Sequence, residues 1–284
     1  LMIEMVGNAK FTDKNRIKDM LTFIASDNDK SVIQNGHVLA MSNAGAQINN
    51  VASTSDIVSG LNFINYTSDL TKNINKNENL ERYIDILQSI KNKIIFEPLH
   101  TFTATSIDVH KSMLSYQFGS SNDDKCHQEL LNIQEEKIGW ITGAQVCYCA
   151  EAFPTVSMDH DDAPALTVLG AVLRNGYLHS AIREKGGAYG AGASQDSKNK
   201  FFKFFSYRDP NCSNTYNEFA NSREWSLKNI TTAQLDEGVL GVISSIDKPL
   251  SPYGEAMNDF GSNIENKNIE LRLQFRTKVK ECTL

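Results

Sequence analysis

Arginine, a glycine pair and tyrosine lie close together in Arg183-Glu184-Lys185-Gly186-Gly187-Ala188-Tyr189-Gly190-Ala191-Gly192. A guanidinium and a phenol can both donate hydrogen bonds to peptide carbonyls. Arg183 falls in the last turn of an expected helix, where a cation complements the negative helix end. Gly186 and Gly187 let the backbone turn sharply out of that helix. Tyr189 then opens a strand of small residues, along which another backbone can approach closely. The same residues also make an ordinary helix C-cap with a surface Arg and a half-buried Tyr, and residue types alone leave both readings open.

Other chemistry is poorly represented. The histidines are His37, His100, His110, His127, His160 and His179. None heads an H-x-x-E-H or an H-E-x-x-H. His100 and His110 lack a carboxylate at ligand spacing. Cys126-His127 and His160-Asp161-Asp162 are runs of adjacent residues, which point to different sides and chelate poorly. The expectation is therefore no metal bound by this chain. The cysteines, Cys126, Cys147, Cys149, Cys212 and Cys282, are odd in number and form no C-x-x-C. That pattern fits free thiols in a reducing compartment, cytoplasm or organelle matrix. Cys147 and Cys149 share a strand face and read as small core residues. Ser157, Ser180 and Ser206 have no recognisable base partner, so serine-hydrolase chemistry is unsupported. Gly187 to Gly192 follows a helix rather than a strand and is not a dinucleotide fingerprint. Phe201-Phe202-Lys203-Phe204-Phe205 reads as a strand buried on both sides with a Lys at its edge, in preference to an apolar peptide-binding strip.

The elements that must position these residues alternate between long helical runs and hairpins, which favours α+β over a doubly wound sheet. Asp13 is an N-cap candidate for a helix carrying Ile17, Met20, Leu21 and Ile24. Further helices are expected from about Ser31, from Thr54-Ser55-Asp56, and through Tyr83, Ile86, Leu87 and Ile90. Residues 71–80 read as an Asn-rich loop. A domain boundary is expected near residue 95, β-structure over Phe102 to Val109, and a polar excursion over 118–137. Ala144 to Phe153 reads as a buried strand closed by Pro154. Asp159 to Pro164 signals a helix start, and that helix is expected to run to Gly186. Ala188 to Ser194 and Phe201 to Tyr207 read as paired strands. Helices Thr215–Lys228, Thr232–Ile246 and Ser251–Lys280 follow. The formal net charge of -6 argues against nucleic-acid or anionic-membrane partners, which need a basic face. No apolar run reaches the ~20 residues of a membrane span. Both chain ends read as cuts through a longer protein.

Four separated stretches carry a resemblance: Leu173-Arg174-Asn175-Gly176-Tyr177-Leu178-His179, Arg183 to Gly190, Phe205-Ser206-Tyr207-Arg208-Asp209-Pro210, and Val242-Ile243-Ser244-Ser245-Ile246-Asp247-Lys248-Pro249. In this order they resemble the last part of presequence proteases, in the pitrilysin/insulinase family of zinc metallopeptidases. The likeness is strongest from about 140 to 284. It extends to 1–95, where Ser31 to Leu70, with Asn35-Gly36-His37, resembles the helical end of a preceding domain. The resemblance implies an α+β fold with antiparallel-rich sheets packed on helices. Residues 1–95 would be the helical end of a third peptidase-like domain, and 96–284 a fourth, truncated at its end. It also implies zinc in a full-length parent, held by an inverted H-x-x-E-H motif in the amino-terminal half. Carried onto this sequence, Arg183 and Tyr189 would be catalytic, and Arg183, Gly187 and Tyr189 would bind substrate. The implied partners are unfolded peptide substrates and the amino-terminal half of the same protein. The chain alone would be inactive. A catalytically dead scaffold or peptide-binding subunit is the competing reading, against which the presence of both Arg183 and Tyr189 speaks.

Overall fold

A computed structural model describes residues 8–74, 77–93, 137–265 and 267–284. The helices are α1 (Lys14–Ala46), α2 (Asn50–Ser59), α3 (Leu61–Asn73), α4 (Asn77–Lys93), α5 (Ala163–Leu173), α6 (Cys212–Asn229), α7 (Thr232–Ile246), α8 (Pro252–Ile264) and α9 (Ile269–Lys280). The strands are β1 (Ala150–Pro154), β2 (Gly190–Asp196) and β3 (Phe201–Tyr207), and a π-helical segment, Arg174–Lys185, continues α5. The mixture confirms the α+β expectation. The expected boundary near 95, the β-structure after Phe102, and His100, His110, Cys126 and His127 lie outside the described residues.

The chain divides into two compact units. The first takes the described residues within Leu1–Asp27, Asn65–Glu129 and Leu250–Glu265. Its core is helical: Leu21, Ile74 and Leu80 are buried, with Ile17, Leu70, Tyr83 and Ile84 packed on them. Asp13 does cap α1, since its carboxylate accepts the Arg16 backbone N–H at 2.9 Å. The expected loop over 71–80 is much shorter, because α3 continues to Asn73 and α4 starts at Asn77. Asn-rich composition misled there; Leu70, Ile74 and Leu80 supply the buried contacts that hold helix on both sides.

The second unit takes the described residues within Asn28–Ile64, Leu130–Pro249 and Asn266–Leu284. Its sheet has the order β1-β3-β2, antiparallel throughout, with Gly190 opposite Tyr207 and Ala150 opposite Phe205. The Phe-rich strand β3 is thus central, buried on its Phe202-Phe204-Ser206 face and partly buried on the other. On one face Phe202 and Phe204 pack with Leu173, Leu178, Ile182 and Phe219 from α5, the π-helical segment and α6. On the other, Phe205 and Tyr207 meet His37 of α1. The expectation of a Lys at the strand's edge is corrected: Lys203 sits mid-strand, 3.3 Å from Asp196 and over the Phe201 ring. The expected strand Ala144 to Phe153 shrinks to Ala150–Pro154, preceded by a lone bridge from Cys147 to Asp209. A third layer forms where α5, α7 and α9 bury Val168, Val172, Val242, Phe275 and Val279. The single closing helix expected from Ser251 to Lys280 is two, each capped by its own side chain, Ser251 for α8 and Asn268 for α9.

Helix α1 does not break before Ser31 as expected; it runs through and bends at Asn35, whose φ/ψ of -120/20 is not helical. Beside the bend the Ile33 carbonyl accepts the Tyr148 hydroxyl at 2.5 Å. A Cβ on Gly36 would lie 2.4 Å from Tyr148 Cδ2, so only glycine lets the ring sit there.

Candidate functional site

The segment Arg174–Lys185 carries Arg183 on a wide helix and buries its opposite face. Leu178 and Ile182 are almost fully buried against β3 and α6, which fixes the backbone beneath the exposed residues. The helix ends on Gly187, at φ +80. The Gly187 N–H donates to the Arg183 carbonyl at 3.0 Å and the Ala188 N–H to the Ile182 carbonyl at 3.1 Å. Such a closure needs the left-handed conformation that glycine adopts without cost. Tyr189 is then tied into the sheet, its N–H reaching the carbonyls of Tyr207 at 3.0 Å and Arg208 at 3.3 Å. From the other side, Asn211 Nδ2 donates to the Gly186 carbonyl at 2.7 Å. The turn between Arg183 and Tyr189 is clamped at both ends.

All three expected site residues come together. Arg183, Gly187 and Tyr189 are exposed, and the Arg183 guanidinium carbon lies 6.0 Å from the Tyr189 ring centroid. Tyr189 is 67% exposed, and its ring packs edge-on to Tyr207 at 5.6 Å. Among the described residues nothing hydrogen-bonds its hydroxyl.

Three neighbours carry no assigned role in the sequence reading. His179 Nε2 lies 3.2 Å from an Arg183 guanidinium nitrogen, and His179 Nδ1 lies 3.5 Å from Glu184. The first contact spans four residues, an ordinary helical pairing. The second spans five, and only the i→i+5 closure of a π-helix brings such residues together. No sequence signal marked that closure. The third neighbour is His37, whose ring packs edge-on to Tyr207 at 4.6 Å. Among the described residues its buried Nδ1 has no hydrogen-bond partner, and burial holds its pKa below the ordinary histidine value.

The described histidines do not converge on a metal. His37 is enclosed by aromatic rings, His179 is engaged with Arg183 and Glu184, and His160 lies 3.7 Å from Asp162 on the surface. Among the described residues no group of three or more His, Cys, Asp or Glu is placed to hold one. The Cys147 expectation is corrected, because its side chain is exposed while Cys149 is buried. Residue 147 precedes β1, outside the regular sheet. Among the described residues no helix is long and apolar enough to cross a membrane.

Residues 140–284 match the family model of the PreP C-terminal domain, and residues 1–70 match the model described as peptidase M16 (subfamily C) associated. The chain is 30% identical to the mitochondrial presequence protease of Yarrowia lipolytica, across 96% of its own length and 28% of that protein. It is also 30% identical to that of Drosophila melanogaster, across 99% of its length and 27% of that protein. The Saccharomyces cerevisiae protein of the same name is 26% identical over 89% of the chain. The chain therefore spans little more than a quarter of the length of these curated relatives.

Proposed function

Because the chain belongs to the presequence protease family, we propose that it forms the substrate-gripping side of a zinc-dependent oligopeptidase that degrades unfolded peptides. The observation that carries this is the pairing of Arg183 and Tyr189 across one clamped, exposed turn, 6.0 Å apart. Arg183 offers a fixed charge and a fork of N–H donors to substrate carbonyls. Tyr189 offers a hydroxyl to the oxygen on which negative charge develops during peptide attack. Gly187 presents bare backbone between them, so an extended peptide can lie close. His179, itself paired with Glu184, positions the Arg183 side chain.

Zinc belongs, on this reading, to the amino-terminal half of the parent, where it would supply Lewis-acid activation of water. No step assigned to Arg183, Gly187 or Tyr189 passes through it. Without that half the chain is inactive. Relatives named mitochondrial presequence protease make presequence peptides the substrate class and an organelle matrix the compartment we favour. Donors of this kind are typically worth ~10²–10³ in rate. Tyr189→Phe in the full-length parent is expected to cut kcat by that order with an unchanged melting temperature, and wild-type turnover would refute the assignment. Chelation is expected to abolish parental turnover while leaving the unfolding of this chain unmoved.

A further inference from the structure

Three thiols meet beneath the site's clamp, and the proposed function uses none of them. Cys149 is 1% exposed and belongs to the main core. Its S–H is directed at the sulfur of Cys212, 3.5 Å away. Cys212 is the first residue of α6 and is exposed, as is Cys147, whose thiol is pushed up first by burial and next by the nearby Cys212. The thiol of an exposed residue thus touches that of a buried one. The contact lies next to the loop that holds the catalytic turn: Asn211 grips the Gly186 carbonyl, the Arg208 carbonyl accepts the Tyr189 N–H, and Asp209 pairs with Cys147 through both backbone bonds, at 2.8 and 2.9 Å.

We propose that Cys212 is a reversible oxidation site for peroxides, resolved by Cys149 into a disulfide that pulls on the 208–211 loop and so on the Arg183–Tyr189 turn. In the first step the Cys212 sulfur attacks the peroxide O–O bond. Sulfur loses two electrons and becomes a sulfenic acid, and one oxygen leaves as water. In the second, the Cys149 sulfur displaces the sulfenic hydroxyl, which departs as water with the Cys149 proton. Two thiols and one hydrogen peroxide give one disulfide and two waters, and a small-thiol reductant reverses the change. Burial and the neighbouring thiol push Cys149 up to about 12, so it attacks only as its proton passes to the departing hydroxyl, which makes this the slower of the two steps. Bonding requires the sulfurs to close from 3.5 Å to about 2.0 Å, and α6 begins at the moving atom. A shift of ~1 Å in a positioned site is enough to cost large factors in rate.

The oxidation site stands independently of the proposed catalytic role; only its effect on turnover rests on that role. The test treats the full-length parent with hydrogen peroxide, blocks remaining thiols, and maps tryptic peptides 138–174 and 209–223 by mass spectrometry. A cross-link two hydrogens lighter is expected in wild type and in Cys147→Ser, absent in Cys212→Ser and Cys149→Ala, and lost on reduction. Unmodified Cys212 after peroxide, or a cross-link that survives Cys149→Ala, would overturn the site. Turnover of a presequence-like peptide is expected to fall on the order of tenfold on oxidation and return with dithiothreitol in wild type, with Cys212→Ser insensitive. Full turnover by the cross-linked protein would overturn the coupling. The mass readout remains decisive even if the parent proves to have no peptidase activity.

Discussion

Two bends in the second unit depend on glycine for opposite reasons. At Asn35-Gly36, α1 kinks against a neighbour with no room to spare: the missing Cβ would sit 2.4 Å from the Tyr148 ring. At Gly187, the chain leaves a helix through φ +80, and the nearest atom to a Cβ would be Pro210 Cγ at 3.5 Å. The first bend is closed by packing and faces the interior. The second is demanded by backbone conformation and opens to solvent between Arg183 and Tyr189. A bend made for packing shapes the base on which Tyr207 and His37 pack edge to face. A bend made for conformation sets out functional groups with space before them.

The comparison breaks most visibly at Gly36. Gly36→Ala forces the Tyr148 ring out of place, and overpacking of this kind costs about 1–3 kcal/mol. The melting temperature of the chain is expected to fall accordingly, while Gly36→Ala combined with Tyr148→Ala should cost less than the two changes summed. Strict additivity would show that the contact does not govern the bend. At Gly187 the expected balance reverses. A side chain there carries the left-handed penalty of roughly 1–2 kcal/mol but meets Pro210 only at ordinary van der Waals distance, so the melting temperature moves modestly. Turnover of the parent is expected to drop further than stability accounts for, on the order of tenfold or more, because Arg183 and Tyr189 lose their common turn. Equal loss in kcat for Gly36→Ala and Gly187→Ala would erase the distinction.

Much of this arrangement was legible from residue types. The hairpin of β2 and β3 follows from a run of small residues and a run of aromatics around a polar turn. The helix leading to Gly186 follows from Leu166, Leu169, Leu173 and Tyr177 at helical spacing. The identity of Arg183 and Tyr189 as candidates came from resemblance rather than from pattern, since an ordinary C-cap would look the same. What stayed hidden depended on neighbours distant in sequence or on helix pitch. The π-helical pitch over Arg174–Lys185 leaves no trace in apolar spacing, so the His179–Glu184 contact was unforeseen. Lys203 reads as an edge residue until Asp196 is folded beside it. Cys212 lies 63 residues from Cys149, and only the pairing of β1 with β3 and the start of α6 bring their sulfurs together.

Smaller changes sharpen the contrast on the packed side. Tyr148→Phe keeps the ring against Gly36 and removes only the hydroxyl that the Ile33 carbonyl accepts. The expected loss is about 0.5–1.5 kcal/mol, and thermal unfolding that matches wild type would assign the kink to shape alone.

The subtlest handle is His37, beside that bend. Its pKa is lowered in the fold by burial, so in falling pH the unfolded chain takes up its proton first, near the ordinary ~6.5. Stability tied to His37 is therefore complete above that value and declines as pH falls below it. Asp247 is held below the usual carboxylate range by its hydrogen bond from Arg276, so its own loss comes at lower pH. Between pH 7.5 and 5.5 the melting temperature of wild type is expected to decline more than that of His37→Phe, which keeps an aromatic ring on Tyr207 and removes both the titration and the unpartnered Nδ1. The same substitution should not lower the melting temperature at pH 7.5. Parallel pH curves for the two proteins would place the acid sensitivity elsewhere and leave the packed bend indifferent to protons.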